Sequence, residues 1–352
     1  MAYLLLETGE VFGGEAFAHL AETMGEVVLY TGMAGFQECV TDPDYHGKIV
    51  VMTYPLVGNY GARAADVESL TARAKAIVVQ EVCAVPSNWL CEMPFEQFLK
   101  QEHIAGLQFV DTRALTQTLC QNGALRGIIT QTPDEAALQK VKAFTPPKTV
   151  AETAAAEVHT HVQGMPKHIA VLDGGITNSL LSALKKNNCD CTIYPINTPA
   201  QDIVRDMPDG ILVVAADDDP NRYMDVVQTV KALMQSGKPV MGIGTGALFV
   251  AMAAGATCVA FKNAHRGGSM PVVGMPGTKG YLTAQSHAYG IEQSNLPADI
   301  VVTYRNVNDK TIEGFALANQ PVVGTLFHPE AHHGANEAAV VLQQFIGMLH
   351  SK

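Results

Sequence analysis

From His168 onward, short apolar runs alternate with helical patterns, and this alternation limits the fold more than any other feature of the chain. Ile169–Leu172, Cys191–Pro195, Gly210–Ala216 and Pro239–Ile243 are expected as strands. Between and after them, Asn178–Lys186, Pro199 to about Asp206, Tyr223–Gln235 and Ala247–Ala254 are expected as helices. Repeats of this kind build βαβ units and a parallel sheet covered on both faces. In such sheets, ligand chemistry lies beyond the carboxyl ends of the strands. Those ends are Asp173-Gly174-Gly175, Ala216-Asp217-Asp218-Asp219-Pro220 and Gly242-Ile243-Gly244-Thr245-Gly246.

The first half reads differently. Ala2–Glu7, Glu26–Tyr30, Ile49–Thr53 and Ala76–Val82 are short apolar segments separated by Gly, Pro or Asp, and are expected as strands. Helical patterns occur at Phe95–Glu102 and Arg113–Asn122, the latter stopped by Gly123. Residues 146–167, with two prolines at the start, an alanine run and Pro166, lack a sustained apolar period. They read as an interdomain connection, with room for a short edge element. The expected class is α/β: a β-rich α/β domain over 1–145, the connection, and an open, mostly parallel sheet over 168–352. A length of 352 residues fits two domains at about 150 residues each.

Composition removes several classes of function. Lys and Arg number 23 against 34 Asp and Glu, a formal charge of −11. A general nucleic-acid binder needs a basic face, so none is expected. With 47 % hydrophobic residues the chain can offset its ordering entropy, which argues against disorder. Charged residues are 16 %, below the usual ~25 %. Surface covered by a partner would explain this, and so would small buried side chains. Seven cysteines make neither a disulfide framework nor zinc-site spacing. The opening MAYLLLETGE lacks the basic region and apolar length of a signal peptide, and no 18-residue apolar run occurs. A cytoplasmic protein without a membrane span is expected.

Two segments could carry chemistry. Phe327-His328-Pro329-Glu330 places a carboxylate two residues after a histidine, the pattern of a general base held in one tautomer. The bland alternative is a loop histidine beside an exposed acid. His328, His332 and His333 also invite a metal reading. Pro329 disfavours the helix needed for the four-residue spacing, and no cysteine completes the ligand set, so no metal is expected. The glycine elbow Gly242–Gly246 lacks the third glycine of a dinucleotide fingerprint and is read as a tight strand-to-helix turn.

Together these pieces resemble the small, amidotransferase subunit of carbamoyl phosphate synthetase. Thr31-Gly32-Met33-Ala34-Gly35-Phe36-Gln37-Glu38, Thr41-Asp42-Pro43-Asp44-Tyr45, Thr53–Gly61 and Asp111-Thr112-Arg113-Ala114-Leu115-Thr116 follow that family's first-domain segments in order. Ala264–Gly268, Val302–Asp309 and His328-Pro329-Glu330-Ala331 resemble its class I glutamine amidotransferase domain. The resemblance implies a large subunit as partner, with ATP and Mg2+ on that subunit and no cofactor in this chain.

In active members a cysteine at the elbow attacks the carboxamide of glutamine, giving a glutamyl thioester and ammonia. The family motif G-I-C-x-G-H-Q falls on Gly242–Leu248, so Gly244 stands at the nucleophile position. Glycine has no side chain to attack with. The resemblance leaves His328 as base and Glu330 as its orienter. The oxyanion turn S-N-G-P-G-D-P reads Val214–Pro220, with Ala216 and Asp218 at its glycine positions. Three consecutive aspartates should oppose an oxyanion unless their side chains face solvent. Thr245, Leu248 (in place of glutamine), Ser286, Ala288 and Tyr289 fall on substrate-contact positions and are read as vestigial. Thr245 and Cys258 are considered as replacement nucleophiles. The first points elsewhere along the elbow, and the second lies beyond the helix as an apolar cysteine.

Three functions follow. The leading one is a synthetase small subunit that has lost glutamine hydrolysis, serving ammonia-dependent synthesis or a structural or regulatory role in pyrimidine or arginine synthesis. The alternative is a regulatory or small-ligand-binding pseudo-amidotransferase acting outside carbamoyl phosphate synthesis. The third, a working glutaminase, requires a different register at the elbow.

Overall fold

The computed structural model describes residues 1–19, 21–70, 73–277, 279–330 and 336–349. These fall into two compact units, Met1–Pro147 with Lys262–Arg266, and Lys148–Phe261 with Gly267–Lys352.

In the first unit seven strands close into a barrel, in the order Ala2–Leu6, Val11–Ala18, Ala105–Gln108, Ala76–Val78, Lys48–Met52, Thr23–Tyr30 and Leu125–Thr130. Closure removes unpaired sheet edges. Alternate residues of each strand enter different cores, as the two-residue period requires. Ile49 and Val51 pack with Leu115 and Leu119 of helix Thr112–Asn122, while Val50 and Met52 pack with Phe36 and Phe95. That helix begins on Asp111, whose side chain accepts from Ala114 N–H, and ends at Gly123 with φ +85°. The apolar run expected as one strand over Ala76–Val82 divides. It leaves the barrel at the exposed Gln80, and Glu81–Val82 pairs instead with Leu56–Val57.

The second unit contains the parallel core that the alternation implies. Its order is Cys189–Pro195, Lys167–Gly174, Gly210–Ala215, Val240–Gly244 and Val322–Thr325. Beyond Val322–Thr325 the sheet turns antiparallel through Ile312–Leu317 and Ile300–Asn306 to the long strands Cys258–Gly274 and Lys279–Ile291, so the sheet as a whole is mixed. Both faces are covered. Ala170, Leu172, Ile211 and Val213 lie under helices Met224–Gln235 and Thr245–Ala253. Ile169, Val171, Leu212, Met241 and Ile243 lie under Asn178–Lys186 and Ala339–Met348.

Within the expected connection over 146–167, residues from Lys148 onward belong to the second compact unit. Helix Thr149–Thr153 buries Val150 in the core, and His159–Val162 adds an antiparallel edge strand on Cys189–Pro195. Ala155 N–H is fixed by Asp173 Oδ2 at 2.8 Å. Elements of four and five residues are too short to show a period, so only their tertiary partners reveal them. Among the described residues no helix is long and apolar enough to cross a membrane.

Candidate functional site

Strand Val240–Gly244 runs without a break into helix Thr245–Ala253. Eight of the nine residues in this helix are buried, which an all-apolar helix requires. It can lie that close to the sheet because of Gly246, where a Cβ would sit 2.1 Å from Val213 O. Gly244 is a glycine for another reason. Its backbone has φ +60° and ψ −131°, a region that L side chains rarely adopt. A Cβ there would meet only Ala215 O, at 3.2 Å. The junction is therefore a sharp elbow that glycine adopts freely and that would strain an L side chain, whose Cβ would sit tightly against Ala215 O.

Strand register brings the other segments to this elbow. Gly244 is level with Ala215 of one neighbouring strand, and Ile243 with Thr325 of the other. Next to Ala215 lies the turn of aspartates, and three residues beyond Thr325 lies His328. Phe327–His328 pairs in turn with Ala284 and Gln285, just before Ser286.

His328 and Glu330 are brought together. His328 Nδ1 and Glu330 Oε1 are 3.1 Å apart, and both residues are buried. A carboxylate can only accept when ionised, so Nδ1 then carries the proton and Nε2 is left as the basic nitrogen of a neutral ring. Thr177 donates its hydroxyl to the same Oε1 at 3.3 Å while capping helix Asn178–Lys186. The loop before Thr177 is held by Asp173, whose Oδ1 accepts from Gly175 and Ile176 N–H at 2.8 and 2.7 Å. Burial pushes the Asp173 carboxyl above the usual carboxylate value, and these backbone donors offset only part of that.

The turn does not point Asp217 and Asp218 to solvent, the arrangement that would have relieved their expected opposition to an oxyanion. Asp217 is 4 % exposed and accepts from Ala288 N–H through Oδ1 at 2.8 Å. Asp218 accepts from the Tyr223 hydroxyl at 2.6 Å and faces Arg222 Nη1 at 3.1 Å. Burial, and then the bond to Asp218, raise the Tyr223 pKa above that of an ordinary phenol. Asp219 caps the short helix Pro220–Arg222. Ala216 donates its own N–H to Gly174 O at 3.0 Å. Each acid is thus held by neighbours, because a buried carboxylate without donors would be costly.

The remaining positions sit deeper. Leu248 is fully buried in the core, and Thr245 is 1 % exposed with no hydrogen-bond partner for its Oγ1. Ser286 is buried and Tyr289 packs partly against the same core. Between them, His287 places Nδ1 2.9 Å from Tyr289 O and Nε2 3.2 Å from Glu313 Oε2. Cys258 is buried in the apolar core, and burial pushes its thiol up to about 12, well away from a working thiolate. His332 and His333, with Ala331, lie outside the described residues.

Sequence reasoning missed Thr177, Glu313 and the reach of Asp217 to Ala288. Thr177 carried a visible signal, a threonine opening a helical pattern. The other two contacts join residues 26 and 71 positions apart, and no local spacing announces them.

A protein-family model of the class I glutamine amidotransferases matches residues 170–348, and one of the carbamoyl-phosphate synthase small chain, CPSase domain, matches 4–129. Among curated proteins, the carbamoyl phosphate synthase pyrimidine-specific small chain of Bacillus subtilis is 37 % identical over 98 % of this chain and 95 % of its own length. The carbamoyl phosphate synthase small chain of Clostridium perfringens is 35 % identical over 98 % of both chains. That of Listeria monocytogenes serotype 4b is 36 % identical over 99 % of this chain and 97 % of its own. The chain belongs to the carbamoyl phosphate synthase small-chain family.

Proposed function

We propose that this chain is the small subunit of a carbamoyl phosphate synthase and that it does not hydrolyse glutamine. The observation that carries the reading is the elbow at Gly244. It has the sharp positive-φ backbone of a strand-to-helix nucleophile turn, but no atom that could form a thioester. His328 and Glu330 remain as a base and its orienter, and position 244 offers them no side chain to deprotonate. Among the vestigial substrate positions Ala216, Asp218, Thr245, Leu248, Ser286, Ala288 and Tyr289, three support the same conclusion, since Ala216 donates to Gly174, Asp218 accepts from Tyr223 and Ala288 donates to Asp217.

The partner is a large synthetase subunit, which binds ATP and Mg2+ and joins bicarbonate to nitrogen taken from free ammonia. Here the small chain supports or regulates that subunit in the cytoplasm, serving pyrimidine or arginine synthesis. The deciding experiment compares glutamine and ammonia as nitrogen donors for the complex with its large subunit. Ammonia should sustain carbamoyl phosphate synthesis and glutamine should not. Comparable rates with the two donors would overturn the proposal.

A further inference from the structure

Losing a nucleophile does not by itself stop glutamine from binding, and Asp217 bears on that separate question. Ala288 lies in the stretch 286–289, which falls on substrate-contact positions. Its backbone N–H is a donor suited to a carboxylate or carbonyl oxygen, and in this chain it already holds the Asp217 carboxylate at 2.8 Å. We propose that Asp217 is a built-in occupant of the amino-acid carboxylate position, so that the site is closed to glutamine at the binding step as well as at the chemical one. The proposal rests on the reading of this site as a former glutamine site.

Four features of the turn support it. Asp217 is the one acid of the triplet that spans to the strand Lys279–Ile291, since Asp218 turns to Tyr223 and Arg222 and Asp219 caps its own short helix. At 4 % exposure the Asp217 carboxylate has left bulk water, and a charge-assisted bond to a backbone N–H is the kind of contact that compensates for this. The acid is also tethered. A group on a short fixed loop competes at an effective concentration on the order of millimolar or higher, so a free amino acid must displace it as well as bind. The turn adjoins the elbow directly, because Ala215 O is the one atom a Cβ at position 244 would meet.

The test is glutamine binding by the full chain, measured calorimetrically for the wild type, Asp217→Ala and Asp217→Asn. Asp217→Ala should bind L-glutamine roughly tenfold or more tightly than the wild type, the worth of one charge-assisted hydrogen bond. Asp217→Asn should behave as the wild type, because its side-chain carbonyl can still accept from Ala288. The idea is overturned if the wild type binds glutamine as tightly as Asp217→Ala, or if the folded Asp217→Ala chain gains no affinity. Should that variant not fold, hydrogen exchange at Ala288 in the wild type decides. A protected amide unchanged by glutamine upholds the proposal, and an amide that responds to glutamine overturns it. Neither measurement involves the large subunit. A wild type that binds glutamine without hydrolysing it defeats this inference alone, whereas glutamine-dependent synthesis defeats the proposed function.

Discussion

The two sides of the candidate site differ in what they present. On the His328 side a histidine, a carboxylate and a capping threonine lie within hydrogen-bond distance, all buried. On the Gly244 side there is a sharp strand-to-helix turn without a side chain at its apex. The elbow bears no side chain, and the adjoining turn spends its acids and Ala216 N–H on bonds within the chain. The His328 side holds together two segments 153 residues apart, which gives it a packing role independent of any chemistry.

The largest effect should come from the elbow's packing. Gly246→Ala places a methyl against Val213 backbone oxygen, which cannot yield as a side-chain tip would, and should cost about 3 kcal/mol or prevent folding. Thermal unfolding followed by circular dichroism measures it. On the other side, Glu330→Ala removes the acceptor shared by His328 and Thr177 and should cost about 2 kcal/mol. An unchanged melting temperature would show that the retained pair has no structural value.

Gly244→Cys separates shape from chemistry. A Cβ at position 244 meets Ala215 O at 3.2 Å and takes a positive φ, so the variant should fold with a penalty of about 1–3 kcal/mol. Mass spectrometry after incubation with glutamine should find no thioester while Asp217 remains in place. A trapped thioester would show that the missing thiol is the only defect.

The smallest effect is a control in the first unit. Burial pushes the Glu7 carboxyl up, but hydrogen bonds from the Arg126 side chain and backbone, at 2.8 Å each, outweigh it and hold its pKa below the usual glutamate value. A lowered folded-state pKa adds stability above the unfolded value and loses it as pH falls through the folded one. Glu7→Gln should therefore lower stability slightly at neutral pH and flatten the acid limb of an unfolding titration, without altering glutamine binding.

Much of this could be read from local pattern. The helix Asn178–Lys186 has the ends expected of it, and the strands of the parallel core lie within two residues of their expected ends, because an apolar run between breakers carries its own limits. His328 and Glu330 are two residues apart, so their pairing was also visible. The barrel's closure was not, since it depends on which strands meet rather than on what each contains. The long antiparallel strands Cys258–Gly274 and Lys279–Ile291 were equally hidden, their mixed exposed and buried residues matching no clean period.

By itself, then, the sequence determined the βαβ order of the second unit and the absence of a thiol at Gly244, since both are properties of single residues and short periods. Tertiary structure alone decided what the three aspartates do. Whether a carboxylate opposes a ligand, caps a helix or fills a donor site depends on which N–H it meets. For Asp217 that donor lies 71 residues away and arrives only when the sheet is complete.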